Sequence, residues 1–149
     1  MEIRRAKVEE VSTLNQFLTM LIQDERQYDA NIDENFVVTN MYENYIEDQN
    51  AILLVSIVDE KIVGYVFGKI EPPNNVVKKR EARLDALFVL PEYRNRGIAR
   101  ELVNELVKWA KNNGAASLEV GVITENSKAK ALYLSSGFNT FKEVLQMRF

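Results

Sequence analysis

The 149-residue chain contains no cysteine and no histidine. Without cysteine it has no disulfide, no thiolate metal site and no cysteine nucleophile. Without histidine it lacks the commonest general base and the commonest metal ligand. A zinc enzyme is therefore disfavoured, and no metal is expected. Long apolar runs are also missing, and none approaches membrane-spanning length. The N-terminal "MEIRRAKVEEV" has no apolar core of the signal-peptide kind. These absences point to a cytoplasmic protein with no membrane partner.

What is present is ordinary for a globular protein: 46% apolar and 28% charged residues, in a length that suits one domain. The formal net charge of −3 is unevenly spread. Residues 1–71 carry 14 acidic and 6 basic side chains, residues 72–149 carry 8 and 13. This polarity suggests an anion held by the second half and a cation by the first. A chance scatter of surface charge gives the same numbers. A nucleic-acid partner is not expected, because the domain as a whole is not basic.

The patterning predicts a short strand in "EIRRAKVEE". A helix follows, with Val11, Leu14, Phe17, Leu18, Leu21 and Ile22 at helical spacing. A polar stretch leads to a second, shorter helix over "TNMYENYIEDQ", capped by Thr39 or Asn40. "AILLVSIV" and "IVGYVFGKIE" read as two strands joined by a tight turn. Pro72, Pro73, Asn74 and Asn75 break the pattern before a strand ending in "LDALFVL". A helix from about Gly97 to Asn113 puts Ile98, Leu102, Val103, Leu106, Val107 and Ala110 on one face, with Gly114 closing it. "ASLEVGVIT" reads as a strand, "ENSKAKALYLSSG" as a short helix, and "FNTFKEVLQMRF" as a terminal strand. The expected order is βααβββαβαβ, a single α/β domain with a mixed sheet.

The junction "PEYRNRGIAREL" carries the chemistry. A helix start offers unpaired N–H groups and a partial positive charge, which together favour an anion. Gly97 lets backbone approach closely, Ala99 is nearly as small, and Arg94, Arg96 and Arg100 add charge suited to phosphate. Solvated arginines beside a turn glycine account for the hexapeptide equally well. It is not a Walker loop and lacks the three-glycine dinucleotide spacing.

Arg94-x-x-Gly97-x-Ala99, preceded by "LFVLPEY", resembles the acetyl-coenzyme-A-binding signature of the GNAT acetyltransferase superfamily. Downstream, "ENSKAKALYLSSGF" resembles the family's second signature, with Asn126, then Tyr133, then Gly137-Phe138. The resemblance is specific over about 82–138, and residues 1–81 match only in element order. It implies a GNAT-like fold with a mostly antiparallel mixed sheet and about four helices. The acceptor side would lie mainly in 1–75 and the acetyl-coenzyme-A core in about 82–138.

By that resemblance, the N–H groups of Arg94, Asn95, Arg96, Gly97, Ile98 and Ala99 would cradle the pyrophosphate of the cosubstrate, with Arg94, Arg96 and Arg100 in support. Leu87, Phe88 and Val89 would pair their backbone with the pantetheine arm, and one N–H there would polarise the thioester carbonyl. Asn126 would bond the pantetheine amide, with Ala129 beside it, and Tyr133 would protonate the leaving thiolate. Asn126 also reads as a helix N-cap and Tyr133 as an amphipathic core tyrosine. With no cysteine or histidine, direct transfer to an amine is simpler than an acetyl-enzyme. Asp85, Glu81, Glu119 or a water chain are candidates for the base.

Between Asp24 and Asp48 stand eight acidic residues and one arginine. The expected acceptor is accordingly a cationic primary amine, with Tyr28, Phe36, Tyr42 and Tyr45 as cation–π candidates. A solvated acidic surface is the plainer reading. Only eleven residues follow Phe138, so one continuous strand is expected there. One wall of the acceptor site would then come from elsewhere, as in a homodimer. The competing function is an acyl-coenzyme-A sensor or partner domain without catalysis.

Overall fold

The computed structural model describes all residues, 1–149. Its elements are β1 (Glu2–Arg5), α1 (Val11–Asp24), β2 (Ala51–Val58), β3 (Lys61–Glu71), β4 (Glu81–Val89), α2 (Ile98–Asn112), β5 (Ser117–Val120) and α3 (Ser127–Ser135). The five strands lie in sequence order, antiparallel except for the parallel β4–β5 pair. The α/β class and the mixed, mostly antiparallel sheet agree with the sequence reading. No helix is long and apolar enough to cross a membrane.

β2 and β3 form a hairpin whose two turn residues, Asp59 and Glu60, both have positive φ, 49° and 64°. That geometry matches the right-handed twist of the strands it joins. Six consecutive residues are buried in each strand, 51–56 and 63–68, as expected of strands covered on both faces. α1 packs on β4, and α2 packs on β2, β3, β4 and β5. Gly68 makes the α2 contact close, since a Cβ there would stand 2.4 Å from Leu106 Cδ1. Trp109 joins the α2 core residues expected from sequence, while Val107 is only partly buried.

Two expected elements are absent. Residues 39–49 form no second helix, only a 3-10 turn at Tyr42–Asn44. There are thus three helices rather than about four. Side-chain bonds take the place of the helix. Asn15 Oδ1 accepts from the Tyr42 N–H at 3.2 Å, Asn15 Nδ2 donates to Glu43 Oε1 at 2.9 Å, and Asp48 Oδ1 accepts from the Asn50 N–H at 2.8 Å. Such bonds compete with helical ones, and asparagine and aspartate favour them. The terminal strand is the second absence: residues 138–149 lie in no strand. Their alternation fits a strand, but a strand exists only where a neighbouring edge pairs with it.

Two irregularities shape the functional end of the sheet. Phe67 pairs with Ala86 and Gly68 with Leu84, so Asp85 is an extra residue bulged out of β4. β5 pairs with β4 only over Glu81–Leu84. It is also shorter than "ASLEVGVIT" predicts, stopping at Val120. Beyond Leu84 the two strands part, and Asp85–Val89 has no strand on its β5 side.

Candidate active site

The parted edge of β4 runs straight into the turn before α2. A 3-10 turn spans Pro91–Tyr93, Asn95 has φ 63°, and Gly97 is left-handed at φ 83°. Glycine takes that conformation without penalty. A Cβ on Gly97 would meet nothing within 4 Å, so the space over the turn is open. α2 has no side-chain cap. The Arg94 N–H, expected in the cradle, is instead taken up by Pro91 O at 3.2 Å in the 3-10 turn, whereas the N–H groups of Asn95, Arg96, Gly97, Ile98, Ala99 and Arg100 have no acceptor in the chain. Six free donors at a helix start form an anion cradle.

The arginines take roles the sequence did not specify. Arg94 Nε donates to Val89 O at 2.8 Å, its NH2 group meets Asp24 Oδ2 at 3.2 Å, and its guanidinium lies 5.4 Å from the Phe88 ring centroid. It therefore fastens the end of β4 and the end of α1 to the turn. Arg96 donates to Glu92 O at 3.0 Å and lies over Tyr93. Arg100 donates to Ser135 Oγ at 2.8 Å, joining the first turn of α2 to the last turn of α3.

α3 supplies the other side. Asn126 Oδ1 accepts from the Ala129 N–H at 3.2 Å, so the asparagine is the N-cap of this helix. Its amide nitrogen makes no bond in the chain and remains free to donate. Tyr133 packs edge-on against Phe138, with centroids 5.6 Å apart, and its hydroxyl has no partner in the chain. Burial, reinforced by the charge of Glu25, pushes the phenol up to about 12. Glu25 begins the 3-10 turn that follows α1, directly after Asp24. Burial and the neighbouring Asp29 raise its own carboxyl. Sequence reasoning counted Glu25 only within the acidic run. No motif marks it, and only the ion pair that draws the end of α1 to the turn reveals its position.

The three carboxylates named from sequence are not equivalent. Asp85 stands at the mouth of the β4–β5 opening, held by Lys69 Nζ at 3.0 Å. Burial alone would lower the Lys69 pKa, but the Asp85 hydrogen bond and charge outweigh it and raise it. Glu119 is bound by Arg83 at 2.9 Å and Lys142 at 3.2 Å. Glu119 and Glu81 both lie where β4 and β5 are still paired, before the strands part.

On the first-half side, an apolar groove of about 460 Å³ runs between α1 and the segment 36–41, lined by Leu18, Ile22 and Phe36 among others. Phe36 borders this space. Tyr42 does not face any acceptor: it is fully buried, with its hydroxyl 2.7 Å from that of Tyr65. Tyr45 packs on Phe67 and already has Lys69 over its ring. The cation–π expectation fails for Tyr42 because its aromatic face is needed in the core.

The parted strands, the free amides and the helix beyond together leave an open sheet edge that ends in unpaired backbone donors, in an α/β domain. The chain belongs to the acetyltransferase (GNAT) family, which it matches over residues 15–138. It is 35% identical over 89 residues to an uncharacterised N-acetyltransferase of Methanocaldococcus jannaschii, covering 60% of this chain and 39% of the relative. It is 31% identical over 104 residues to an N-alpha-acetyltransferase of Saccharolobus solfataricus, covering 66% and 62%. The matched part is thus less than two thirds of either relative. Among solved structures, a mutant of the BH1408 protein from Bacillus halodurans superposes with a TM-score of 0.87 at 20% identity, covering 100% and 99% of the two chains. The aminoglycoside N-acetyltransferase AAC(6')-Iy, solved with CoA, gives 0.74 at 18% identity, covering 99% and 98%.

Proposed function

We propose that the chain transfers an acetyl group from acetyl-coenzyme A directly to a primary amine. The observation that supports this best is the run of six free N–H groups at Asn95–Arg100, under open space, at the end of an unpaired β4 edge. A diphosphate fits the cradle, and an amide-bearing arm fits the edge, where Leu87, Phe88 and Val89 would pair with it. Asn126 would donate its free amide to that arm. The relative solved with CoA is consistent with the same ligand class.

In the reaction, the amine nitrogen attacks the thioester carbonyl, a C–N bond forms and the C–S bond breaks. Tyr133 donates its proton to the departing thiolate. The phenol is protonated at neutral pH, and its hydroxyl, which has no partner in the chain, is free to donate. The attacking ammonium first loses a proton. In this reading Glu25, whose carboxyl is raised by burial and by Asp29 and whose charge acts on Tyr133, or Asp85 at the strand opening would take that proton.

The acceptor in this reading is cationic. Supporting it are the acidic run from Asp24 to Asp48 and a relative named as an aminoglycoside N(6')-acetyltransferase, 29% identical over 65 residues. The test is a panel of polyamines, aminoglycosides and peptide amines, with thiol release as the readout and calorimetry for acetyl-coenzyme A. Saturable binding with turnover on a cationic amine is expected. Binding without turnover on the whole panel would leave a sensor instead, and no binding would remove both.

A further inference from the structure

We propose, on the reading that the acceptor is a cationic amine, that Asp85, Tyr45 and Phe67 form a seat for the second ammonium group of a diamine acceptor, and that the chain's own Lys69 fills this seat in the free protein. Lys69 Nζ lies 3.0 Å from Asp85 Oδ2, 5.5 Å from the Tyr45 ring centroid and 5.9 Å from that of Phe67. A carboxylate with two aromatic faces is the chemistry that recognises an alkylammonium ion. Burial disfavours the charge there, yet the Asp85 hydrogen bond and charge, with Tyr45 and Glu71 adding to them, raise the Lys69 pKa. The seat therefore favours a cation.

The β4 bulge puts the seat at the strand opening. Asp85 is the extra residue, and its carboxylate reaches a lysine that pairs in register with Arg83. It stands just past Leu84, the last residue of β4 that pairs with β5. Leu87 is two residues further on, ~7 Å along a strand. A diamine whose nitrogens are ~7 Å apart, such as cadaverine, spans from Asp85 to a thioester held at Leu87–Val89. With Asp85 holding the far ammonium, Glu25 is the carboxylate left to take the proton from the reacting one.

Lys69 can be displaced. Its side chain and that of Asp85 keep 28% and 24% of their surface open, so an incoming cation reaches the pair from solvent. In the seat Lys69 stands opposite Arg83, which Glu119 holds at 2.9 Å. An alternative partner is close. Glu71 lies two residues on in the same strand and on the same face. It stands opposite Glu81, and neither carboxylate has an ion-pair partner. Like charges so opposed repel, and the Lys69 ammonium relieves that repulsion when it swings to Glu71.

Lys69→Met keeps an apolar stem and empties the seat. Calorimetry without acetyl-coenzyme A should show this variant binding cadaverine about tenfold more tightly than the wild type does, the gain expected when an occupied site is opened. Uncharged pentanol should gain nothing, and adding Asp85→Asn should abolish the cadaverine gain. In the wild type, cadaverine should move the Lys69 side-chain ammonium signal in nitrogen NMR and leave that of Lys108 in place, a readout independent of either variant folding. In turnover, kcat/KM should be higher for cadaverine than for pentylamine, which has one charge. Cadaverine that binds Lys69→Met no more tightly than the wild type overturns the proposal. So does a wild-type Lys69 signal that stays unmoved throughout the titration, or equal kcat/KM for the two amines. The binding arms need no acetyl transfer, so a tightened seat without turnover would remove the transferase reading alone.

Discussion

Asp24 and Arg94, seventy residues apart in sequence, meet through a 3.2 Å ion pair that fastens the end of α1 to the turn before α2. Both side chains are substantially exposed, so the pair itself contributes no more than ~1 kcal/mol. Arg94 also donates to the Val89 carbonyl, and that bond adds about 1 kcal/mol. Asp24→Asn should therefore cost under ~1 kcal/mol in urea unfolding. Arg94→Ala should cost about twice as much and raise the KM for acetyl-coenzyme A several-fold. Equal losses would mean that the ion pair, rather than the strand-end bond, holds the turn.

Gly97 and Gly114 both sit at positive φ, 83° and 79°, and neither has any atom near the place of a Cβ. Alanine at either site should destabilise by about 1–2 kcal/mol through backbone strain alone. Only Gly97→Ala places a methyl group over the free amides. It should raise the KM for acetyl-coenzyme A at least tenfold, with Gly114→Ala as the strain-matched control. If both variants bind acetyl-coenzyme A like the wild type, the cradle is misplaced.

Tyr133→Phe should lower kcat on the order of 100-fold with little change in Tm, because the lost hydroxyl has no partner in the chain. The phenol's folded pKa of about 12 lies above its ordinary value of 10.0. Its stabilising contribution is therefore complete below pH 10 and is lost as pH rises toward 12. Unfolding at pH 9 and pH 11 should show the wild type losing more stability than Tyr133→Phe. Parallel losses would indicate a phenol that is not shielded from water.

Tyr42 and Tyr65 share a buried 2.7 Å hydroxyl pair. Tyr42→Phe or Tyr65→Phe alone leaves one buried hydroxyl unpaired, at a cost of about 1–3 kcal/mol. The double variant removes both and should lose less than the sum of the two singles, a coupling that chemical denaturation resolves. Additive losses would show that water reaches the pair.

Most of the fold was legible because its signals are local. The apolar spacing of α1 and α2, the β2–β3 hairpin and the glycine at the start of α2 each follow from side chains a few residues apart. The same holds for the two segments, around Arg94–Ala99 and Asn126–Phe138, that resembled the family. The second helix failed because Asn15, on another element, binds the backbone at Tyr42. The terminal strand failed because alternation states only what a strand would look like, and residues 139–149 make no backbone bond to the open β5 edge beside them. Tyr42 looked like a ligand contact until burial placed it in the core, and Glu25 looked like one acid among eight.

The sequence by itself determined the α/β class, the position of the turn before α2, and the exclusion of cysteine and histidine chemistry. These are properties of composition and of short-range backbone preference. The tertiary structure alone decided where β4 and β5 part, that the arginines brace the turn from within the chain, and that the charge of Glu25, just past α1, reaches Tyr133. Each of these depends on contacts between residues tens of positions apart, whose energies are set by burial and geometry rather than by any local pattern.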